Sequence, residues 1–374
     1  MKIFKQQINI PNNLTTCVLL IISISILSAF NHRKATRTPF ILTYDTLRFS
    51  KPAIPDDNIL TVEGVALGRL LFYDTTLSGD FSQSCGSCHK QEYSFSDGGK
   101  QYSVGIKGKE GNRNTMTLVN LAWQTDFFWD GRVKSLEELI YFPVTDSLEM
   151  NSDTTIIVTR LTKHKFYPKL FKAAFPGEAI SFHTVSKEIS QFLRTINIKS
   201  YSKRFLEIEK ELKHNETIEK LQENSFDGLY YRTTNTCGRC HPGEGVGNTK
   251  FANNLSVPNA IYNTSDSGQM ILKKFKVPTL INIKYSAPYM HDGSYKDLDE
   301  VINHYEKHIK EIYTKNPEMF IHLDSSLITL TEYDRKNLSA FFELFTDTSI
   351  LTDKKYSNPF QSTNFKWDDF PYLK

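Results

Sequence analysis

SCGSCHK, residues Ser84 to Lys90, sets two cysteines and a histidine close together, and CGRCH repeats the arrangement at Cys237 to His241. The two motifs use four of the five cysteines; the other, Cys17, lies in an N-terminal leader. A zinc site made of two CxxC halves would usually hold them closer together and would need no histidine after each. A thioredoxin-like dithiol follows a strand, whereas SGDFSQ ahead of the first motif reads as polar loop. CxxCH is the spacing of c-type haem attachment: the two thiols add to the porphyrin vinyl groups and the adjacent histidine is directed at the iron. A double match that consumes every cysteine outside the leader favours two covalent haem c groups over zinc or dithiols. That reading decides the fold: a mainly α chain of two cytochrome c-like helical domains, each built round one haem.

Outward from the motifs, apolar residues recur at helical spacing. Ile189, Phe192, Leu193 and Ile196 form one set, and Leu338, Phe341, Phe342 and Phe345 another, each marking an amphipathic helix. Ser135 with Glu138, and Thr329 with Glu332, fit the capping box that starts a helix. No run of alternating strands competes, and apart from the CxxCH pair no strong internal repeat is evident. The polar stretch 210–224 between the motifs reads as an interdomain junction. It divides a first domain over 60–209 from a second over 225–350, with an N-terminal extension over 31–59 and a C-terminal tail over 351–374. Lys2 and Lys5 precede an apolar run from Leu14 to Leu27 and the small residues Ser28 and Ala29. This is the layout of a secretory signal over 1–30, with an uncleaved anchor as the alternative, so a periplasmic protein is expected. Cys17 lies at the start of the apolar run instead of after it, which argues against lipidation. The 374 residues carry a formal charge of +3, supplied largely by the leader lysines, so nothing recruits nucleic acid. A hydrophobic fraction of 39% with 13% aromatics can fill the cores of a globular protein.

The order of motifs is more specific than any one of them. LGRLLFYDTTLSGDFSQSCGSCH, RNTMTLVN, FFWDGRVKSLEE, PVTDSLEM, CGRCH and VPTLINIKYSAPYMHDGSYKDLDEVINHY follow one another from about Leu60 to Phe345. In this order they resemble the bacterial di-haem cytochrome c peroxidase and MauG family. The resemblance makes the haem held by Cys85, Cys88 and His89 the peroxide-reacting centre, with Glu149 as a distal acid that moves a proton between the peroxide oxygens. It makes Pro143 a residue that narrows access to that centre, and Trp129 a relay between the two haems. Without it, Glu149 is an exposed glutamate after a turn, Pro143 a helix stop and Trp129 core packing. It further implies a propionate partner in Arg132, a structural His291, and a calcium ion held by Asn114 with the backbone carbonyls of Ser286 and Pro288.

Two departures from the family pattern bear on mechanism. Many members place a histidine ligand ahead of RN, where this chain has SVGIKGKEGNRN with Ile106. Isoleucine cannot bind iron, so the first haem is expected to be open to peroxide while fully oxidised. Gly105, Gly108 and Gly111 suggest that this loop is mobile. At the second haem, bound by Cys237, Cys240 and His241, the peroxidases place a methionine where this chain has Tyr305, and MauG has tyrosine. Tyr305 shares a helical face with Leu298, Val301 and Ile302, so core packing is the alternative; His304 or an empty position are the others. His304 and His308 lie one turn apart and read as a solvated face. Ile281 stands where relatives often have an arginine, leaving open what replaces it.

The expected function is reduction of hydrogen peroxide with electrons from a small cytochrome c or cupredoxin, in a chain that could form a homodimer. A MauG-like oxidation of a partner protein and a non-catalytic electron carrier are the rivals.

Overall fold

The computed structural model describes residues 37–46, 49–198, 207, 233, 237–238, 240–241, 251–252, 274–315, 332–361 and 365–367. The leader, the junction at 210–224 and the Thr329 cap lie outside them. The first long helix, α1 (Val62–Tyr73), starts where the Thr61 side chain accepts the Gly64 N–H. Helical turns α2 (Cys85–Cys88), α3 (Leu136–Leu139) and α4 (Tyr141–Thr145) follow, then α5 (Thr154–Lys163), α6 (Tyr167–Ala174) and α7 (Phe182–Thr195). The only described sheet pairs β1 (Phe251–Ala252) antiparallel with β2 (Phe275–Lys276), Phe251 opposite Lys276. Helices α8 (Leu298–Lys315), α9 (Glu332–Glu343) and α10 (Ser349–Thr352) complete the order. The chain is mainly helical, as the motifs imply. Among the described residues no helix is long and apolar enough to cross a membrane.

The pair α1 and α7 makes the core of the N-terminal stretch. Leu67, Leu70, Leu71 and Phe72 from one and Ile189, Phe192 and Leu193 from the other are all buried, each side chain worth about 1.5–3 kcal/mol relative to exposure. The close crossing needs Gly68, since a Cβ there would lie 1.9 Å from the Glu188 carbonyl oxygen. Helix α7 is not half-solvated as its periodicity suggests: Lys187, Glu188, Gln191 and Arg194 on its polar face are buried too. The segment ahead of α1 encloses that face. Gln191 bonds Thr61 and Asn58, Lys187 reaches Asp57 at 3.0 Å, and Arg194 grips Glu137 through both guanidinium nitrogens at 2.6 and 3.0 Å.

The fold also contains a repeat that sequence reading passes over. Residues 116–140 match 278–302 without a gap: Thr117, Leu118, Asn120, Asp130, Gly131, Lys134, Leu136, Glu138 and Ile140 recur as Thr279, Leu280, Asn282, Asp292, Gly293, Lys296, Leu298, Glu300 and Ile302. The backbone repeats with them. Asn120 and Asn282 are both left-handed, at φ 60° and 54°, and each opens a short 3-10 turn. Phe127 bridges Val133 as Tyr289 bridges Tyr295, around turns that place Gly131 and Gly293 at φ 65° and 62°. Ser135 then caps α3 through the Glu138 N–H, and Asp297 receives the Glu300 N–H at the start of α8.

The two arms of this repeat meet each other. The Asn114 N–H donates to the His291 carbonyl at 2.8 Å, and the Lys276 N–H to the Trp129 carbonyl at 2.7 Å. The chain end then returns to the N-terminal stretch: Tyr356 donates its hydroxyl to the Thr195 carbonyl at 2.6 Å and accepts the Tyr73 hydroxyl at its own carbonyl at 2.7 Å, while Arg69 reaches the Ser357 carbonyl at 2.8 Å.

Candidate active site

Ser84 starts the turn α2 through a capping box with Ser87, which holds Cys85 and Cys88 at the edge of a cavity of about 480 Å³. His89 follows with its Nδ1 2.8 Å from the Phe95 carbonyl oxygen. A carbonyl can only accept, so the ring proton stays on Nδ1 and Nε2 keeps its lone pair for a metal. Burial disfavours the imidazolium and lowers the His89 pKa. His241 is built the same way: Nδ1 lies 2.8 Å from the Pro278 carbonyl oxygen, and burial drives its pKa down to about 4. With Cys237 and Cys240 it lines a second, smaller cavity of about 200 Å³, walled by Phe275, Val277, Leu280, Ile302 and Phe342.

The first cavity gathers most of the expected residues. Glu149, Pro143, Arg132 and Trp129 line it together with Cys85, Cys88 and His89. Glu149 is exposed, as in the bland alternative, but it stands on the wall of the first cavity; desolvation by the atoms packed round its carboxyl, with a smaller push from Asp146 and an opposing pull from Arg132, raises its pKa to about 7. The Arg132 guanidinium lies 3.8 Å from the centre of the Phe128 ring and bonds Asp130 at 2.8 Å. Asp130 is shared with Arg113, also at 2.8 Å, so Arg132 already has a carboxylate partner within the chain.

Trp129 lines both cavities. Its indole Nε1 donates to the Asn114 carbonyl at 2.7 Å, and its ring stands edge-on to His291 at 6.4 Å. His291 in turn stacks on Phe275 at 3.7 Å. Tyr305 lines the second cavity with Leu298, Val301 and Ile302. His304 does not line it; its Nδ1 lies 2.9 Å from the Tyr295 hydroxyl and its ring faces His308 at 4.9 Å. Extending the repeat, Tyr305 corresponds to Pro143, so each cavity receives the corresponding position of its own arm. Asn114, Ser286 and Pro288 all line the first cavity. The Asn114 amide nitrogen donates to the carbonyls of Lys100 and Gln101 at 3.2 and 3.1 Å, a geometry that commits its hydrogens and turns the oxygen away from them.

The loop around Ile106 corrects the expectation of mobility. Ile106 is 2% exposed, and its N–H donates to the Glu149 carbonyl at 2.9 Å. Gly105 and Gly111 are tied to Lys109 and Ser103 at 2.7 and 3.0 Å, and a Cβ on Gly105 would meet the Leu148 carbonyl oxygen at 2.0 Å. Glycine serves close packing against the Glu149 segment here, and Ile106 is absent from the cavity wall. Among the described residues no three His, Cys, Asp or Glu side chains converge on a point that could hold a metal ion.

The geometry suits a flat, largely apolar group fixed by two thiols and one imidazole Nε2 in each cavity. A family model described as di-haem cytochrome c peroxidase matches residues 62–211. The methylamine utilization protein MauG of Methylorubrum extorquens is 31% identical over 317 residues, covering 79% of this chain and 82% of its own. The chain belongs to the di-haem cytochrome c peroxidase and MauG family. Within that family, cytochrome c551 peroxidase of Nitrosomonas europaea is 30% identical over 245 residues, covering 63% of this chain and 70% of its own. The solved structure of a MauG-like protein associated with microbial copper homeostasis superposes with a TM-score of 0.66 at 29% identity, over 84% of this chain and 98% of that one. The cofactor implied by di-haem family membership is haem c, and the paired cysteines and Nε2-directed histidines of both cavities fit it.

Two features of this di-haem site escape sequence reading. The Phe95 and Pro278 carbonyls that orient the histidines are backbone atoms, which no side-chain motif reveals. Lys276 lines both cavities although 2% exposed; its only sequence signal is the ungapped repeat, which pairs it with Asn114.

Proposed function

We propose that the protein is a di-haem peroxidase that reduces hydrogen peroxide at the first cavity with electrons from a small cytochrome c or cupredoxin, each cavity carrying one covalent haem c in its own cytochrome-like domain. The observation that carries this reading is a carboxyl group of raised pKa, Glu149, on the wall of the same cavity as Cys85, Cys88 and His89. When bound, haem supplies an iron centre that takes up peroxide in the first cavity and a second redox centre beyond Trp129. Cys85 and Cys88 anchor the first group and Cys237 and Cys240 the second, with His89 and His241 offering Nε2 as metal ligands. Glu149, poised near neutrality, accepts a proton from the incoming peroxide oxygen and returns it to the departing oxygen, which leaves as water. Pro143 narrows the space beside it. Trp129 offers an oxidisable ring in the wall common to both cavities. Asn114 Oδ1 with the carbonyls of Ser286 and Pro288 offers oxygen donors suited to calcium.

The test is rapid mixing of peroxide with the fully oxidised protein, wild type against Glu149→Gln, after mass spectrometry has established that both carry two haems. Equal rates would remove Glu149 from the mechanism; no reaction of the oxidised wild type with peroxide would leave a plain electron carrier as the better reading.

Tyr305 in the wall of the second cavity favours a second reading, oxidation of a residue on a partner protein in the manner of MauG. A phenolate ligand stabilises higher oxidation states than a methionine does, which suits storage of oxidising power over rapid electron uptake. Multiple turnovers with a small cytochrome donor support the peroxidase; a covalent change in a co-purifying protein supports the alternative.

A further inference from the structure

The two arms meet through the same contact used twice. Asn114 donates its N–H to the His291 carbonyl, and Lys276 donates its own to the Trp129 carbonyl. Under the correspondence of 116–140 with 278–302, Asn114 is the counterpart of Lys276 and Trp129 of His291. The seam is therefore reciprocal, residue i meeting j and the copy of j meeting the copy of i, as in an isologous interface between identical chains. The same correspondence carries Ser286 onto Gln124 and Pro288 onto Asp126.

One end of the seam thus presents Asn114, Ser286 and Pro288 and the other Lys276, Gln124 and Asp126. At the first end the groups are neutral oxygen donors at the edge of the large cavity. At the second, the Lys276 ammonium donates to Gln124 Oε1, and Asp126 is the charge that opposes the effect of burial on it. Strand alternation explains the direction. Phe275 and Val277 on either side of Lys276 line only the second cavity, so the lysine side chain is turned the other way, toward Gln124. Asp126 is bonded to Lys134 and to the Thr125 hydroxyl, and among the described residues no carboxylate forms an ion pair with Lys276. A buried ammonium is costly unless polar oxygens surround it, and here Gln124, the counterpart of Ser286, supplies one and Asp126, the counterpart of Pro288, a nearby negative charge.

We propose that Lys276 is a built-in cation standing in the second copy of an oxygen-lined cation site, the first copy of which is formed by Asn114, Ser286 and Pro288. The duplicated seam then requires positive charge at both ends; the chain provides it once as a lysine and leaves it to a divalent ion at the other. The proposal rests on the calcium reading of Asn114, Ser286 and Pro288 given above.

The test is a count of bound calcium on the haem-loaded full-length chain, stripped with chelator and dialysed against about 1 mM calcium, the weak end of extracellular calcium sites. Lys276→Asn, which copies the other end, should bind one calcium more than wild type, and its melting temperature should rise with calcium by more than that of wild type. Lys276→Arg should keep the wild-type count, and Lys276→Met should bind no extra ion and gain nothing from calcium. If Lys276→Asn does not fold, Lys276→Gln offers an amide oxygen at similar reach and takes its place in both measurements. A count in the amide variant equal to that of wild type overturns the proposal. The wild-type count separately tests the calcium reading: a value of zero sinks that reading and this proposal with it, while a wild-type count of one with no extra ion in the amide variant overturns this proposal alone.

Discussion

The two cavities share an attachment motif and a histidine clasp but differ in what else lines them. In the first, the clasp closes within the motif's own loop, His89 to Phe95, and the lining includes an acid of raised pKa, Glu149, with Arg132 and Asp146 tuning it. In the second, the clasp reaches from His241 to Pro278 on the second arm, and the lining is mostly apolar, with Tyr305 and Glu306 from α8 among its few polar side chains. CxxCH therefore states where a porphyrin is tied and nothing about what it does. The chemistry is written on helices that arrive from elsewhere: α4 and the turn after it bring Pro143 and Glu149, and α8 brings Tyr305.

The largest effect that could break this contrast is the loss of the acid. Glu149→Gln should keep both haems and lower the rate of reaction with peroxide by about 10² to 10⁴, the usual contribution of a positioned proton shuttle; stopped-flow mixing reads it directly. A rate within threefold of wild type would mean that Glu149 is not what sets the first cavity apart from the second.

The acid's raised pKa sharpens the same contrast. Below about pH 7 the Glu149 carboxyl is neutral and cannot accept a proton, so the peroxide rate should fall about tenfold per pH unit on the acid side and level off above neutrality. Glu149→Gln should lose that inflection. The stability sign follows: a carboxyl whose folded pKa lies above its unfolded value binds more protons in the native state. Its contribution is fully present below the unfolded pKa and is lost as pH rises through about 7. Thermal melts across that range should show the loss in wild type and a smaller one in the glutamine variant.

Ile106 is buried away from the cavity and its loop is tied down, and among the described residues His89 is the only histidine that lines the first cavity. Peroxide should therefore react with the fully oxidised protein without prior reduction, and an added electron should change the rate less than twofold. A reaction that begins only after one-electron reduction would show that another residue blocks the cavity. Ile106→His should leave that rate nearly unchanged as well, because the side chain at this position does not line the cavity.

The smallest effect belongs to the second cavity. Tyr305→Phe keeps the ring's bulk, so stability should change by less than about 1.5 kcal/mol, while the visible spectrum of one haem alters and that of the other does not. An unaltered spectrum would reduce Tyr305 to packing.

Much of this was legible in the chain, for reasons that can be named. The CxxCH pair and the helix at Ile189 to Ile196 follow from side-chain spacing, and the convergence of Glu149, Pro143 and Trp129 is what the resemblance carried by the motif order implies. The enclosure of α7 was not, because its polar residues are balanced by Asn58, Asp57 and Thr61 far away in sequence. The repeat was hidden by its own divergence. The positions that matter most differ between copies, Trp129 with His291, Asn114 with Lys276, and Pro143 with Tyr305, while the identical residues are turn and capping positions that sequence reading assigns to local structure. Backbone acceptors such as the Pro278 carbonyl leave no trace in side-chain patterns.

The returning chain end has a consequence for how the molecule is made. Gly86 of the first motif packs so closely on Tyr73 that a Cβ would touch its ring at 2.4 Å, and the Tyr73 hydroxyl is in turn held by the carbonyl of Tyr356. A nascent chain emerges from its N-terminus, so Cys85 and Cys88 are available for thioether formation well before Tyr356 exists. The support beneath the first motif is installed last, after both attachment sites have been synthesised, and a premature stop codon near the end of the reading frame would injure the cavity encoded at its beginning.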